Sequence, residues 1–242
     1  MPRNPRPIRP DDLEIIEQIP GIVGVARDQD LRLFWCTRSF FRVLDVVEQR
    51  DELMGTTLDD ILTPSASAER ARIQREVIRT QKTLSHFQFS ADSRVLVTIF
   101  PLDREAFGHD GILAVIKDAP VDARLCAESE IPVLSSPNLY ELNALSSREL
   151  EVLHHIAKSL STNEIADLLK RSSKTIEKQI NSIHTKLNTH SRAELVRYAT
   201  ERGIQSFTDE EWTAIVEGAR KVRQERRKNM PPFAHIPTES EE

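Results

Sequence analysis

Between Leu145 and Gly203 apolar residues recur at helical spacing in successive runs. Leu150, Leu153, Ile156, Ala157 and Leu160 form one stripe, Ile165, Ala166, Leu168 and Leu169 a second, and Ile176, Ile180, Ile183 and Leu187 a third. Three of the helices in this stretch open on one signature: Ser146 with Glu149, Ser161 with Glu164, and Ser191 with Glu194. A serine hydroxyl accepts from the amide three residues on while the glutamate reaches back, so each pair marks a helix start. The remaining helix, Lys174 to about Leu187, begins with Ser172, Ser173, Lys174 and Thr175, short donors and a cation that suit a helix N-terminus approaching a phosphate. Its face opposite the isoleucines carries Lys174, Glu177, Lys178, Asn181, Ser182 and Lys186. Lys170, Arg171 and Ser172 separate it from the preceding helix, which is the length of a helix-turn-helix connection.

The N-terminal part follows a different pattern. After a proline- and arginine-rich arm, Leu13, Ile15, Ile16 and Ile19 form the apolar stripe of a short helix that Pro20-Gly21 ends. Extended runs follow at Ile22–Ala26 and Leu31–Trp35, with a turn at Asp28-Gln29-Asp30 between them. Helices are predicted at Ser39–Val47, Leu58–Leu62 and Ala68–Thr80, and strands at Thr83–Phe89, Arg94–Phe100 and Ile112–Ile116. Two strands, short helices, then three strands predict a five-stranded antiparallel sheet with helices gathered on one face. Asp118–Asn143, with three prolines and no sustained period, reads as a linker. Thr208 with Glu211 starts another helix carrying Trp212, Ile215 and Val216, and Pro231–Glu242 reads as a disordered tail.

The pieces LSSRELEVL, STNEIADLL, SSKTIEKQI and KLNTHSRAELVRYA, in that order and spacing, resemble the C-terminal DNA-binding domain of the LuxR family, also called the GerE or NarL type. Three positions depart from its pattern. Ser159 and Asn188 stand where the family usually has glycine, at helix ends expected to be left-handed; asparagine tolerates that conformation, while it costs serine about 1 kcal/mol or more, so the first turn is expected to close differently. Gln179 replaces a common histidine. The N-terminal half resembles a PAS sensor domain, on GIVGVARDQDLRLFWCTRSFFRVLD, DELMGTTLDDIL and IFPLDREAFGHDGILAVIKD. The expected layout is an arm and short helix over 1–20, a PAS-like domain over 21–118, a linker over 119–143, a LuxR-type domain over 144–206, and a C-terminal helix and tail over 207–242.

A phosphorylated receiver is the rival for the N-terminal half, with Asp11-Asp12, Asp59-Asp60 and Lys117 near receiver positions. A receiver's acidic pair ends a buried strand, however, and here Pro5, Pro7 and Pro10 precede it, while no apolar strand precedes the second pair.

Charge sharpens the picture. The whole chain is at -5, yet residues 146–207 hold ten Lys/Arg against seven Asp/Glu, so the cationic excess sits with the helix-turn-helix. Cys36 and Cys126 are far apart and in no ligand spacing, which predicts reduced thiols in a cytoplasmic protein without a zinc or disulfide framework. No apolar run nears the roughly 18 residues that span a bilayer, and MPRNPRPIRP lacks a signal peptide's apolar core, so neither membrane insertion nor export is expected. Adjacent His154 and His155 diverge by about 100° on a helix and cannot share a metal. Cys36 and His86 are the remaining candidates for a prosthetic group in a PAS-like domain. The flavin-binding Asn-Cys-Arg-Phe run is absent and Ala68–Thr80 holds no histidine. No cofactor is therefore expected, and a small-molecule ligand is left open.

The resemblance implies that Ser173, Lys174, Thr175, Glu177, Lys178, Asn181, Ser182, Lys186, Ser191 and Arg192 contact double-stranded DNA. Lys174, Lys186 and Arg192 are expected on phosphates, Thr175 and Ser191 as neutral donors, and Glu177, Lys178 and Asn181 in the early turns near base edges. The reading is a sequence-specific transcription regulator. Its PAS-like domain senses a signal or dimerises, Ser191–Glu201 serves as a dimer contact, and contact with RNA polymerase is left open. The alternative is an adaptor whose helix-turn-helix does not bind DNA. No glycine-rich phosphate loop, nucleophile elbow or metal cluster supports an enzyme. The Arg220–Lys228 run either touches DNA or solubilises a terminal helix, and the second reading is favoured because charge runs are usually solvated and this one lies outside the motif.

Overall fold

The computed structural model describes residues 9–44, 50–90, 93–102, 104–119 and 131–228. The tail from 231 and Cys126 lie outside the described residues. The chain divides into two compact units, one of residues 1–86, 96–117 and 222–242, the other of residues 87–95 and 118–221.

The sheet runs β1 (Ile22–Asp28), β2 (Leu33–Cys36), β3 (Leu84–Ser90), β4 (Ser93–Leu102) and β5 (Gly111–Asp118), in the spatial order β2-β1-β5-β4-β3. β1 is an inner strand and pairs antiparallel with both β2 and β5, Ala26 lying opposite Trp35 and Leu113. Helices α1 (Ser39–Leu44), α2 (Arg50–Leu53), α3 (Leu58–Ile61) and α4 (Pro64–Thr80) fall between β2 and β3, and α5 (Arg104–Phe107) between β4 and β5. This is the α+β class expected, a five-stranded sheet with helices between its strands. Leu31, expected in a strand, instead takes a left-handed turn at φ 63. The Asp28 carboxylate accepts the amides of Asp30 and Arg32 at 2.9 and 2.8 Å, and buried Arg27 donates to the carbonyls of Leu31 and Thr56 at 2.8 and 3.1 Å. Burial pulls the Arg27 guanidinium down to about 10.

The leading helix forms as a 3-10 helix, Pro10–Gln18. With three residues per turn, positions three apart eclipse, so Leu13 and Ile16 align and turn inward together. Leu13 is buried with Ala26, Trp35 and Leu102, and Ile16 packs against that cluster. Gly24 admits this approach, since a Cβ there would meet the Trp35 ring at 2.7 Å and Ile16 at 3.2 Å. The stripe thus splits, and only Ile15 and Ile19 remain turned out, 68% and 50% exposed.

The second unit centres on α6 (Ser147–Ala157), α7 (Thr162–Leu168), α8 (Ser173–Leu187) and α9 (Arg192–Glu201), followed by α10 (Asp209–Lys228), of which residues 209–221 belong to this unit. Its core includes Leu150, Leu153, Ile156, Ile165, Ile176, Ile180 and Ile183 from the predicted stripes, whereas Leu168, expected in the second stripe, is 52% exposed. It also takes in Leu139 and Leu142 from the stretch read as linker, Phe89, and Phe207, Trp212, Ile215 and Val216 from beyond the expected boundary. The reason is aromatic: Trp212 lies edge-on to Phe89 with ring centroids 5.8 Å apart, and its indole donates to the Leu150 carbonyl at 2.9 Å.

Candidate nucleic-acid interface

Local chemistry fixes where each helix of the site starts. Ser146 and Ser161 accept from the amides of Glu149 and Glu164 at 3.3 Å each, and those glutamates accept the serine amides at 2.6 and 2.7 Å. Ser191 accepts from the Glu194 amide at 3.2 Å, but Glu194 reaches one residue further back, to the His190 amide at 2.6 Å. Ser172 caps α8 without a glutamate, accepting from the Thr175 amide at 3.2 Å.

The ends are equally defined. α6, α7 and α8 each close through a left-handed residue that is not glycine: Ser159 at φ 63, Lys170 at φ 52 and Asn188 at φ 50. Asn188 is expected in this conformation, whereas the turn at Ser159, expected to close differently because of serine's cost, takes it as well, and Lys170 carries no such expectation. After α7 the Arg171 amide donates to the Ala166 carbonyl and the Lys170 amide to Asp167, the paired closure that turns the chain sharply into α8.

At about 100° per residue, Ile176, Ile180, Ile183 and Leu187 fall on one side of α8, and Lys174, Lys178, Asn181 and Thr185 fall within about 60° of one another on the other side. The three isoleucines are buried, while Lys174, Glu177, Lys178, Asn181 and Thr185 are exposed. Among the described residues no hydrogen bond or ion pair engages the side chains of Lys174, Glu177, Lys178 or Asn181. They are polar groups on a rigid, capped helix, available to a ligand.

The other predicted contacts are held within the domain. Ser182 donates to Glu149 at 2.6 Å, and the Lys186 ammonium lies 2.7 and 3.0 Å from that carboxylate's two oxygens. Glu149 is 5% exposed. Burial pushes its carboxyl up, but the hydrogen bonds from Lys186, Ser182 and Ser146 outweigh it and hold it down to about 2. Ser173 donates to Asn163 at 2.8 Å, Thr175 shares a 2.8 Å hydroxyl contact with Ser172, and Arg192 donates to the Leu160 carbonyl. Lys186 and Arg192, expected on phosphates, each have an acceptor within the domain in this structure, the Glu149 carboxylate and the Leu160 carbonyl. Thr185, Lys170 and Arg171 were given no role by the sequence reading, yet all three are exposed, Thr185 on the outer stripe and the cations in the turn before α8.

Of the two adjacent histidines, His154 is buried between the Ile204 carbonyl at 3.2 Å and Asp209 at 3.1 Å, stacked on Trp212. Burial, helped by Lys158 and His155 and opposed by Asp209, lowers its imidazole to about 4. Among the described residues no group of three or more potential metal ligands occurs, and no helix is long and apolar enough to cross a membrane.

Residues 143–199 match the family described as bacterial regulatory proteins, luxR family, of the GerE type. This segment is a LuxR-family helix-turn-helix domain. The oxygen regulatory protein NreC of Staphylococcus epidermidis is 46% identical over 63 residues, covering 26% of this chain and 29% of that protein. The Fimbriae Z protein of Escherichia coli is 41% identical over 64 residues, covering 26% and 30%. The chain therefore spans under a third of the length of these relatives. Among solved structures, a Vibrio cholerae VqmA-ligand-DNA complex aligns over 86% of this chain and 94% of that one, at 18% identity and a TM-score of 0.45. The PAS domain of Bordetella pertussis BvgS aligns over 49% of this chain and 93% of that one, at 18% identity and a TM-score of 0.34.

Proposed function

We propose that this chain is a sequence-specific, double-stranded-DNA-binding transcription regulator of the cytoplasm, with no catalytic step of its own. The observation that carries the reading is the outer stripe of α8, where Lys174, Lys178 and Asn181 stand exposed and unengaged opposite a fully packed isoleucine face, within the LuxR-type segment. Such a helix fits the major groove, where Lys178 and Asn181 reach base edges and Lys174, beside the helix N-terminus, meets a phosphate. Glu177 sits between them as a candidate acceptor for a cytosine amino group. The PAS-like sheet then acts as a signal-sensing or dimerising module, and a dimer would place two α8 helices on two half-sites.

Selection of bound sequences from a random duplex pool by the purified full chain tests this directly. Enrichment of a motif with two spaced half-sites is expected. Failure to enrich any sequence, together with an affinity that does not change with salt, would favour the adaptor reading and sink the proposal.

A further inference from the structure

α10 continues past the core of the LuxR-type domain, and its last nine residues are dominated by one sign: Arg220, Lys221, Arg223, Arg226, Arg227 and Lys228 against Glu225. Val222 is buried on the inner side, and the Glu225 carboxylate accepts the amide and hydroxyl of Ser65 at 3.1 and 2.7 Å. Arg220, Lys221, Arg227 and Lys228 are exposed, and among the described residues no hydrogen bond or ion pair engages their side chains.

Two ordinary causes account for only part of this. The helix dipole favours cations within the last turn, which covers Arg226, Arg227 and Lys228 but not Arg220 and Lys221, about two turns earlier. A solvated helix face gains from opposite signs at positions three and four apart, as Glu217 stands to Lys221 and Lys221 to Glu225, whereas Arg220 and Arg223, and Arg223 and Arg227, repeat the same sign at a cost to the helix. The cations all lie on one helix, where the spacing puts Arg220 and Arg227 near one stripe. A membrane-lying helix would need a free apolar face. The apolar side here is buried, and none of the exposed large hydrophobic side chains lies on α10.

We infer that Arg220, Lys221, Arg227 and Lys228 form a phosphate-backbone contact for double-stranded DNA, adding affinity without sequence discrimination. The inference rests on the DNA-binding reading above. Duplex DNA presents about one negative charge per 1.7 Å of axis, a linear array that a linear array of exposed cations complements without shaped pockets.

The test uses the full chain and the duplex motif it selects. Binding is measured over a salt series for the wild type and for the variant R220Q, K221Q, R227Q and K228Q combined. The slope of log affinity against log salt should fall by roughly 0.9 for each phosphate no longer neutralised, up to about 3.6 in all, with at least a tenfold loss of affinity near 0.1 M salt and an unchanged selected motif. The paired R220K and R227K variant, which keeps charge, should keep the slope, and circular dichroism should show the helix content of both variants unaltered. A wild-type slope in the glutamine variant, with DNA still bound, overturns the inference and leaves the DNA-binding reading standing. A changed motif overturns the backbone assignment. Wild-type protein that binds no duplex overturns both.

Discussion

Lys186 on α8 and Glu149 on α6 meet through two hydrogen bonds, 2.7 and 3.0 Å from the ammonium to the two carboxylate oxygens. Glu149 also closes the N-terminal cap of α6 by accepting the Ser146 amide at 2.6 Å, so one side chain ties the start of one helix to the end of another. Glu149→Gln should therefore destabilise the chain by about 1.5–3 kcal/mol at neutral pH, read as a lower urea midpoint. Because its carboxyl is held down to about 2, Glu149 contributes fully above the ordinary carboxylate value of 4.5 and progressively less as the pH falls toward 2. The gap between wild type and Glu149→Gln should close over that window, and a constant gap down to pH 2 would mean that the carboxylate is not what Lys186 and Ser182 bind.

Lys178→Ala and Asn181→Ala should relax sequence preference, by about 1–3 kcal/mol at the affected base pair if the contact is bidentate, whereas Lys174→Ala should weaken all duplexes alike. Thr185→Ala, on the same stripe, is expected to behave like Asn181→Ala at a neighbouring position. Selection experiments on each variant decide, and unchanged motifs for both Lys178→Ala and Asn181→Ala would move the reading face elsewhere.

His154 is held neutral by burial, with its imidazole lowered to about 4 from 6.5. An unfolded chain thus takes up a proton between those values that the folded one refuses, so this stability is complete above about pH 6.5 and declines as the pH falls toward 4, at no more than about 1.4 kcal/mol per pH unit. His154→Gln should flatten that limb of the stability profile. In the native protein the stacked Trp212 reports the titration, with a fluorescence midpoint near pH 4 expected; a midpoint near 6.5 would contradict the burial argument.

Ser159 occupies a left-handed position at an exposed helix end. Ser159→Gly should raise stability by about 0.5–1 kcal/mol, visible as a higher melting temperature, since relief of the left-handed strain outweighs the greater freedom of glycine in the unfolded chain. A lowered melting temperature would show that the serine side chain makes a compensating interaction.

Ile16 packs against the sheet while Ile15 faces outward, so the two should separate folding from assembly. Ile16→Asp is expected to lower the melting temperature of the whole chain. Ile15→Asp should leave it unchanged and, if a second copy covers that face, lower the apparent mass in sedimentation. An Ile15→Asp protein that sediments like the wild type would exclude this helix as the dimer contact.

Local features were legible because they need only a few neighbouring residues. The serine caps, the isoleucine stripe of α8 and the succession of strands along the chain all follow from spacing, and the Lys174, Lys178, Asn181 stripe from the same arithmetic. Features that depend on distant chain were not. Nothing near Lys186 in sequence announces that Glu149, on another helix, lies within reach of it, so the ion pair of a residue expected on a phosphate is not legible there. Leu31 looked like a strand residue because its apolar side chain fits the alternation, while the cause of its turn, the Asp28 carboxylate and the Arg27 guanidinium, lies in hydrogen bonding that alternation does not encode. α2 and α5, four residues each, are too short to show a period.

The aromatic contact of Phe89 with Trp212 bears on how this protein can be cut. A fragment bounded by the LuxR-family match, residues 143–199, would retain the whole outer stripe of α8 but lack Phe89, Leu139, Leu142, Phe207 and Trp212 from the core, and with Trp212 the indole donated to Leu150. Such a fragment would present uncovered Leu150 and Leu153 to water and should aggregate or melt early. The stretch that carries the outer stripe of α8 is therefore shorter than the stretch from which its core is built, and the latter is assembled from segments synthesised far apart, so α8 cannot complete its packing until Trp212 has left the ribosome.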